Sequence, residues 1–200
     1  MQLTASRSPT SLKPAGTDYA CFTDDWSAIR AHKCPLVVQE REIASLETFA
    51  VQLLSLDPFM WRASGRPEQA TIDLGSLPEA MMQDVAMLAE RFAGLMGCGE
   101  VRLRLELADN DSCRKLHCDY TDLRLITTYS GRGTQFAEGN SKETADVWGI
   151  HAGDIALVKG WLFGEGHDPC LHRSPPIAGT GERRILLAID TPRIDREQGE

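Results

Sequence analysis

The run VRLRLEL at residues 101–107 constrains the fold of this chain more than any other stretch, because its four apolar residues alternate strictly with charged ones. Successive side chains of a strand point to opposite faces, so this pattern specifies a strand with one buried and one charged face. Three further stretches favour strands: LRLITTY at 123–129, DIALVKG at 154–160 and RRILLAID at 183–190. Turn chemistry separates them, in SGRGTQ, AGD and PPIAGTGE. The second half of the chain therefore reads as a sandwich or a small open barrel.

The first half carries a different period. Leu46, Phe49, Ala50, Leu53 and Leu54 recur at helical spacing within residues 43–56, and Asp57-Pro58 stops the pattern. Ser76 and Glu79 have capping-box spacing, with Pro78 in the first turn. Val85, Leu88, Ala89, Phe92, Leu95 and Met96 then mark one stripe that ends at Gly97, with Met81, Met82 and Met87 as packing filler. Residues 1–17 and 193–200 read as polar tails. The expectation is an α+β chain with a single domain over 18–192: a mainly helical portion, 18–98, whose helices pack on a β portion, 99–192.

Acidic residues outnumber basic ones 29 to 21, and the net charge of −8 opposes attraction to nucleic acid or anionic membrane. The N-terminal segment lacks the apolar core of a signal peptide, and no run is long and apolar enough to span a bilayer. A cytoplasmic chain with a small-molecule partner is the expectation. Its six cysteines are then thiols or metal ligands rather than a disulfide framework.

The chemistry concentrates in CRKLHCDYTDLR at 113–124. At a strand end, His117 and Asp119 point to one side and Cys118 to the other. A short HxD triplet is a weak signal alone, but CLHRSPP at 170–176 adds His172 after a strand and a loop. Two histidines and one carboxylate leave adjacent positions of an octahedral metal open, which is what a non-haem Fe(II) oxygenase needs. A 2-oxo acid bound there would leave its distal carboxylate for an arginine fork. Arg183 and Arg184 open the last strand, where only one of them can face inward, and Arg184 lies deeper. Tyr129 and Thr127 are candidates for hydrogen bonds to a bound acid, and Arg124 for either a clamp or a surface charge.

Sulfur offers an alternative. Cys113 with His117 and Cys170 with His172 supply four ligands of the kind that close a structural Zn(II) site. Zinc on His117, Asp119 and His172 would instead keep a position open for an activated water. Neither a G-x-S-x-G elbow nor a G-x-x-x-x-G-K-[ST] loop is present.

The order HxD, strand, glycine-bearing turn, AGD and strand, LHRSPP, GERRILL resembles the double-stranded β-helix (jelly-roll, cupin-like) of Fe(II)/2-oxoglutarate-dependent oxygenases over about residues 101–190. CGEVRLRLEL, the C-x-x-x-H-x-D spacing, LRLITTYSGRGTQ and HRSPPIAGTGERRILLAID resemble the bacterial family called domain of unknown function 1826. The oxygenase resemblance implies Fe(II) on His117, Asp119 and His172, 2-oxoglutarate as co-substrate and Arg184 as its anchor. Such oxygenases often carry a serine two positions after that arginine, where this chain has Leu186. The family resemblance implies a link with zinc-responsive gene neighbourhoods, and with it the alternative of a zinc-binding protein of metal homeostasis.

Overall fold

The computed structural model describes residues 19–43, 46, 50, 52–111, 113–138 and 147–192. Both expected tails lie outside the described residues, as does Phe49. The described strands are β1 (Ala20–Phe22), β2 (Leu36–Gln39), β3 (Phe59–Gly65), β4 (Val101–Ala108), β5 (Leu123–Ser130), β6 (Gln135–Ala137), β7 (Val147–Gly149), β8 (Ile155–Lys159), β9 (Leu171–Arg173) and β10 (Arg184–Asp190). They form a seven-stranded sheet, order β1-β2-β8-β5-β10-β4-β3, and a three-stranded sheet, order β7-β6-β9. Every pair is antiparallel except β1 with β2.

The four strands expected from residue pattern appear as β4, β5, β8 and β10, and they are contiguous at the centre of the large sheet. The portion 18–98 is less helical than expected, because it contributes β1, β2 and β3 to that same sheet. Two of these are weakly written: LVV in β2 is buried on both faces and shows no alternation, and β1 has only three residues. The helical residues Leu46, Ala50 and Leu53 are buried. A short helix, Pro67–Asp73, precedes the long helix Glu79–Met96. The N-cap of the long helix is Pro78, with no side-chain cap, so Ser76 does not form the expected capping box. Gly97 ends it with φ 66°, a left-handed position that glycine adopts without steric cost.

The large sheet has two faces of different character. Leu103, Leu105 and Leu107 of β4, Leu123 and Leu125 of β5, and Ile185, Leu187 and Ile189 of β10 share a core with Met81, Val85, Leu88, Ala89 and Phe92 of the long helix. The alternate residues face the small sheet, where Leu36, Val38, Ile126, Ala156 and Val158 pack with Phe136, Trp148 and Cys170. Burial on this face continues through Arg184 and Ala188 of β10 and Glu106 of β4, whereas Met60, Arg62 and Ser64 of the far edge strand β3 are exposed.

This parity places two of the candidate residues on the helix side. Tyr129 and Thr127 lie on the helix side of β5, away from the small sheet. The Tyr129 hydroxyl donates to Asp84 Oδ2 at 2.6 Å, and Arg41 binds the same carboxylate through Nη1 at 2.5 Å and Nη2 at 3.1 Å. Thr127 Oγ1 meets Gly153 O at 3.4 Å. These contacts tie the long helix to β5 through a fully satisfied buried carboxylate. Tyr129→Phe should therefore lower stability by about 1.5–3 kcal/mol, the worth of a hydrogen bond to a charged group. The denaturant midpoint should fall while metal content stays unchanged, and a parallel loss of metal would return Tyr129 to the site.

Candidate metal centre

His117 lies just before β5, and its backbone pairs with His172 of β9 through reciprocal N–H to O bonds of 3.0 Å. This bridge extends the small sheet by one residue pair and puts the two imidazoles 4.6 Å apart, centroid to centroid. Both rings are oriented by a carbonyl: His117 Nδ1 lies 2.9 Å from Lys115 O, and His172 Nδ1 lies 3.2 Å from Cys170 O. A proton on each Nδ1 donates to that oxygen, which leaves the Nε2 lone pairs for a ligand. Burial, together with the neighbouring His172, holds the His117 pKa below the ordinary histidine value, which favours the neutral form that binds metals.

Both Nε2 atoms face Asp119, His117 at 3.7 Å from Oδ1 and His172 at 3.2 Å from Oδ2. One ligand atom from each of His117, Asp119 and His172 falls within 4.8 Å of the others. The loop after β8 holds the turn that presents Asp119: Trp161 N donates to Asp119 O at 2.9 Å and Gly160 N to Asp122 O at 2.8 Å. A Cβ at Gly160 would lie 2.1 Å from Thr121 O, so only glycine lets the loop approach this closely.

Arg124, the first barrel-facing residue of β5, supports the carboxylate from behind. Its Nε and Nη2 bind Asp190 at 2.7 and 2.9 Å, and its Nη1 lies 2.6 Å from Asp119 Oδ2. Although burial opposes ionisation, His172 and Arg124 hold the Asp119 carboxyl well below the usual range. Asp119 Oδ2 is nevertheless buried with no aligned hydrogen-bond donor. Two imidazole nitrogens and one carboxylate whose ligand atoms lie within 4.8 Å of one another suit Fe(II) or Zn(II). Sequence reading left Arg124 open and missed Asp190; the only signal for the pair is that both charges fall inside apolar strands.

The alternative sulfur set is not assembled. Cys113 is exposed and Cys170 is fully buried among apolar residues, and among the described residues the only group of three or more potential ligands is His117, Asp119 and His172.

The two arginines of the last strand separate cleanly. Arg183 turns outward and donates to Leu54 O and, at 2.6 Å, to Leu56 O. Arg184 is 2% exposed, with Nε 2.6 Å from Arg132 O and Nη2 3.5 Å from Thr128 Oγ1 and 3.4 Å from Thr134 Oγ1. The buried Glu106 carboxylate attracts it from beyond contact distance, and no carboxylate of the described residues forms an ion pair with it. Burial pushes its pKa down to about 10, so it remains a cation at neutral pH.

Solved structures of similar fold include dioxygenase for auxin oxidation 1 from Arabidopsis thaliana in a 2-oxoglutarate binary complex, with TM-score 0.57, 10% identity, and coverage of 88% of this chain and 93% of that one. JOX2 in complex with 2OG, Fe and JA gives TM-score 0.55 and 14% identity, covering 97% and 82%. The dioxygenase for auxin oxidation in rice gives 0.55 and 13%, covering 82% and 76%. The chain thus has the general fold of the Fe(II)/2-oxoglutarate dioxygenases. It belongs to the family described as Protein of unknown function (DUF1826), whose model matches residues 62–190. No curated protein matches it in sequence. No helix among the described residues is long and apolar enough to cross a membrane.

Proposed function

We propose that this protein is a mononuclear non-haem Fe(II) oxygenase that uses 2-oxoglutarate to oxidise a small molecule. The observation that carries the reading is Arg184. A guanidinium buried without a carboxylate costs several kcal/mol unless an anion joins it. His117, Asp119 and His172 alone would suit zinc equally well, whereas a metal centre with a buried arginine on the facing sheet that has Glu106 as a nearby charge but no ion pair among the described residues suits a dicarboxylate.

Fe(II), when bound, supplies the redox chemistry by which O₂ oxidises the substrate as 2-oxoglutarate becomes succinate and CO₂. The chain's own residues do the rest. His117 and His172 present imidazole nitrogens, Asp119 presents the one anionic ligand, and Arg124 with Asp190 fixes its rotamer. Arg184 takes the distal carboxylate of the co-substrate. The hydroxyls of Thr128 and Thr134 lie beside its Nη2 and occupy the role left vacant by Leu186.

The test uses anaerobically purified protein loaded with Fe(II). Saturable binding of 2-oxoglutarate is expected, with slow succinate formation once O₂ is admitted. Cys113→Ser should keep its full metal content. Fe(II)-loaded protein that binds no 2-oxoglutarate would overturn the proposal, and metal lost with Cys113 would redirect it to a sulfur-bound zinc.

A further inference from the structure

Lys159, the last residue of β8, is a fully buried lysine on the side of the large sheet away from the metal centre. Ile155 and Leu157 of the same strand enter the helix-side core, and strand alternation places Lys159 with them, whereas His172 belongs to the small sheet. Its Nζ donates to Ala31 O at 2.7 Å and lies 2.9 Å from His167 Nδ1, with the Phe163 ring centroid 4.8 Å away. Asp168 attracts it from beyond contact distance, and no carboxylate of the described residues forms an ion pair with it.

The imidazole carries this charge outward. An ammonium donates and cannot accept, so His167 Nδ1 is the acceptor and the ring proton sits on Nε2. Polarised by the cation behind it, that N–H is a stronger donor than in an isolated histidine. His32 stacks on the ring at 4.4 Å, with its own Nδ1 3.1 Å from Gly166 O, and holds the ring in plane. Among the described residues, His167 Nε2 has no hydrogen-bond partner.

His167 borders a cavity of about 300 Å³, a volume at the lower end of the range for small-molecule sites. Ile29, Leu95, Met96 and Phe163 form its apolar wall, and among the described residues Arg30 and His167 are the polar ones that line it. Arg30 Nη2 donates to Leu95 O at 2.6 Å, which satisfies a carbonyl in the last turn of the long helix and offsets the negative end of its dipole. The other N–H groups of that guanidinium are unpaired among the described residues. Two sets of donors, an apolar wall and no carboxylate in the lining match an organic anion.

We propose that this cavity binds a small organic carboxylate, with its apolar body against Leu95, Met96 and Phe163 and its charged group between Arg30 and the Nε2–H of His167. The anion supplies the negative charge that Lys159 and His167 lack in contact. It joins the end of the long helix to the loop between β8 and β9, whose Trp161 N–H bonds Asp119 O. Its binding does not rest on the oxygenase reading.

Calorimetric titration of the full chain with phenylbutyrate, octanoate and the neutral phenylbutanamide tests the assignment. At least one carboxylate is expected to bind saturably, and the amide about tenfold or more weakly than phenylbutyrate or not at all. Arg30→Gln should weaken carboxylate binding about tenfold or more, as loss of a charged hydrogen bond does. His167→Phe should do the same while keeping a ring against His32. Since it also takes an acceptor from a buried lysine, the double variant Lys159→Met, His167→Phe is measured beside it and should fold without carboxylate affinity. Met96→Trp, which fills the cavity, should abolish binding while the melting temperature holds or rises. Asp119→Ala should bind the carboxylate as the parent does, which separates this site from the metal centre. Saturable binding by neither carboxylate, equal binding of the amide, affinity unchanged in Arg30→Gln or in the folded double variant, or affinity lost in Asp119→Ala overturns the proposal. None of these results bears on whether Fe(II)-loaded protein binds 2-oxoglutarate.

Discussion

Asp119→Ala should emerge from anaerobic purification without metal, while its circular dichroism spectrum stays that of the parent. The loss should exceed the roughly 10- to 100-fold in affinity typical when a hydrogen-bonded neighbour of a ligand is removed, because Asp119 is itself the proposed ligand and the only anionic one. His117 and His172 are held by the backbone bridge and by Lys115 O and Cys170 O, so both rings should remain in place. Arg124 retains its two bonds to Asp190, which keeps the vacated position from leaving a wholly unpaired buried charge. Mass-spectrometric metal content on the parent and this variant decides the matter. Full occupancy in Asp119→Ala would remove the carboxylate from the site and the oxygenase reading with it.

Arg184→Met should produce two effects of opposite sign. Binding of 2-oxoglutarate should fall about 100-fold or more, since the distal carboxylate would be left in a buried site without its cation. Stability of the ligand-free protein should hold or rise, because replacing a buried charge that has no ion pair among the described residues with an apolar chain of similar length relieves its desolvation cost. Metal content should not change. Calorimetry with 2-oxoglutarate and a denaturant melt report the two effects separately. An Arg184→Met protein that melts earlier and binds 2-oxoglutarate as the parent does would make Arg184 a structural residue that holds Arg132 O.

What the residues themselves disclosed followed from periodicity. The alternation at 101–107 gave β4 and its two faces directly. HxD spacing and the later histidine brought His117, Asp119 and His172 together, because short motifs encode local geometry. Parity was not legible on β5. LRLITTYS is buried on both sides, so its sequence lacks the polar–apolar rhythm that separates Thr127 and Tyr129, on the helix side, from Thr128, which lies beside Arg184. The β3 strand is a different kind of omission. Phe59, Trp61 and Ala63 alternate with Met60, Arg62 and Ser64, but Met60 blurs the pattern, and the strand gains its meaning only when paired with β4. Asp190 could not be read as a partner of Arg124 because that contact spans 66 residues.

The reciprocal bridge between His117 and His172 has a consequence for metal choice. Two of the three nitrogen and oxygen donors are set at their separation by main-chain bonds that need no ion, so little ordering entropy remains for metal binding to supply. Chelation should then leave the fold standing, unlike a zinc finger, and occupancy should exchange readily. A preformed site of imidazole and carboxylate binds zinc more tightly than ferrous iron in the Irving–Williams order. On the proposed oxygenase reading, mismetallation is thus a built-in liability of this centre: in a zinc-rich environment it would fill with an ion that cannot reduce oxygen, and activity would track the ratio of the two metals rather than the amount of protein.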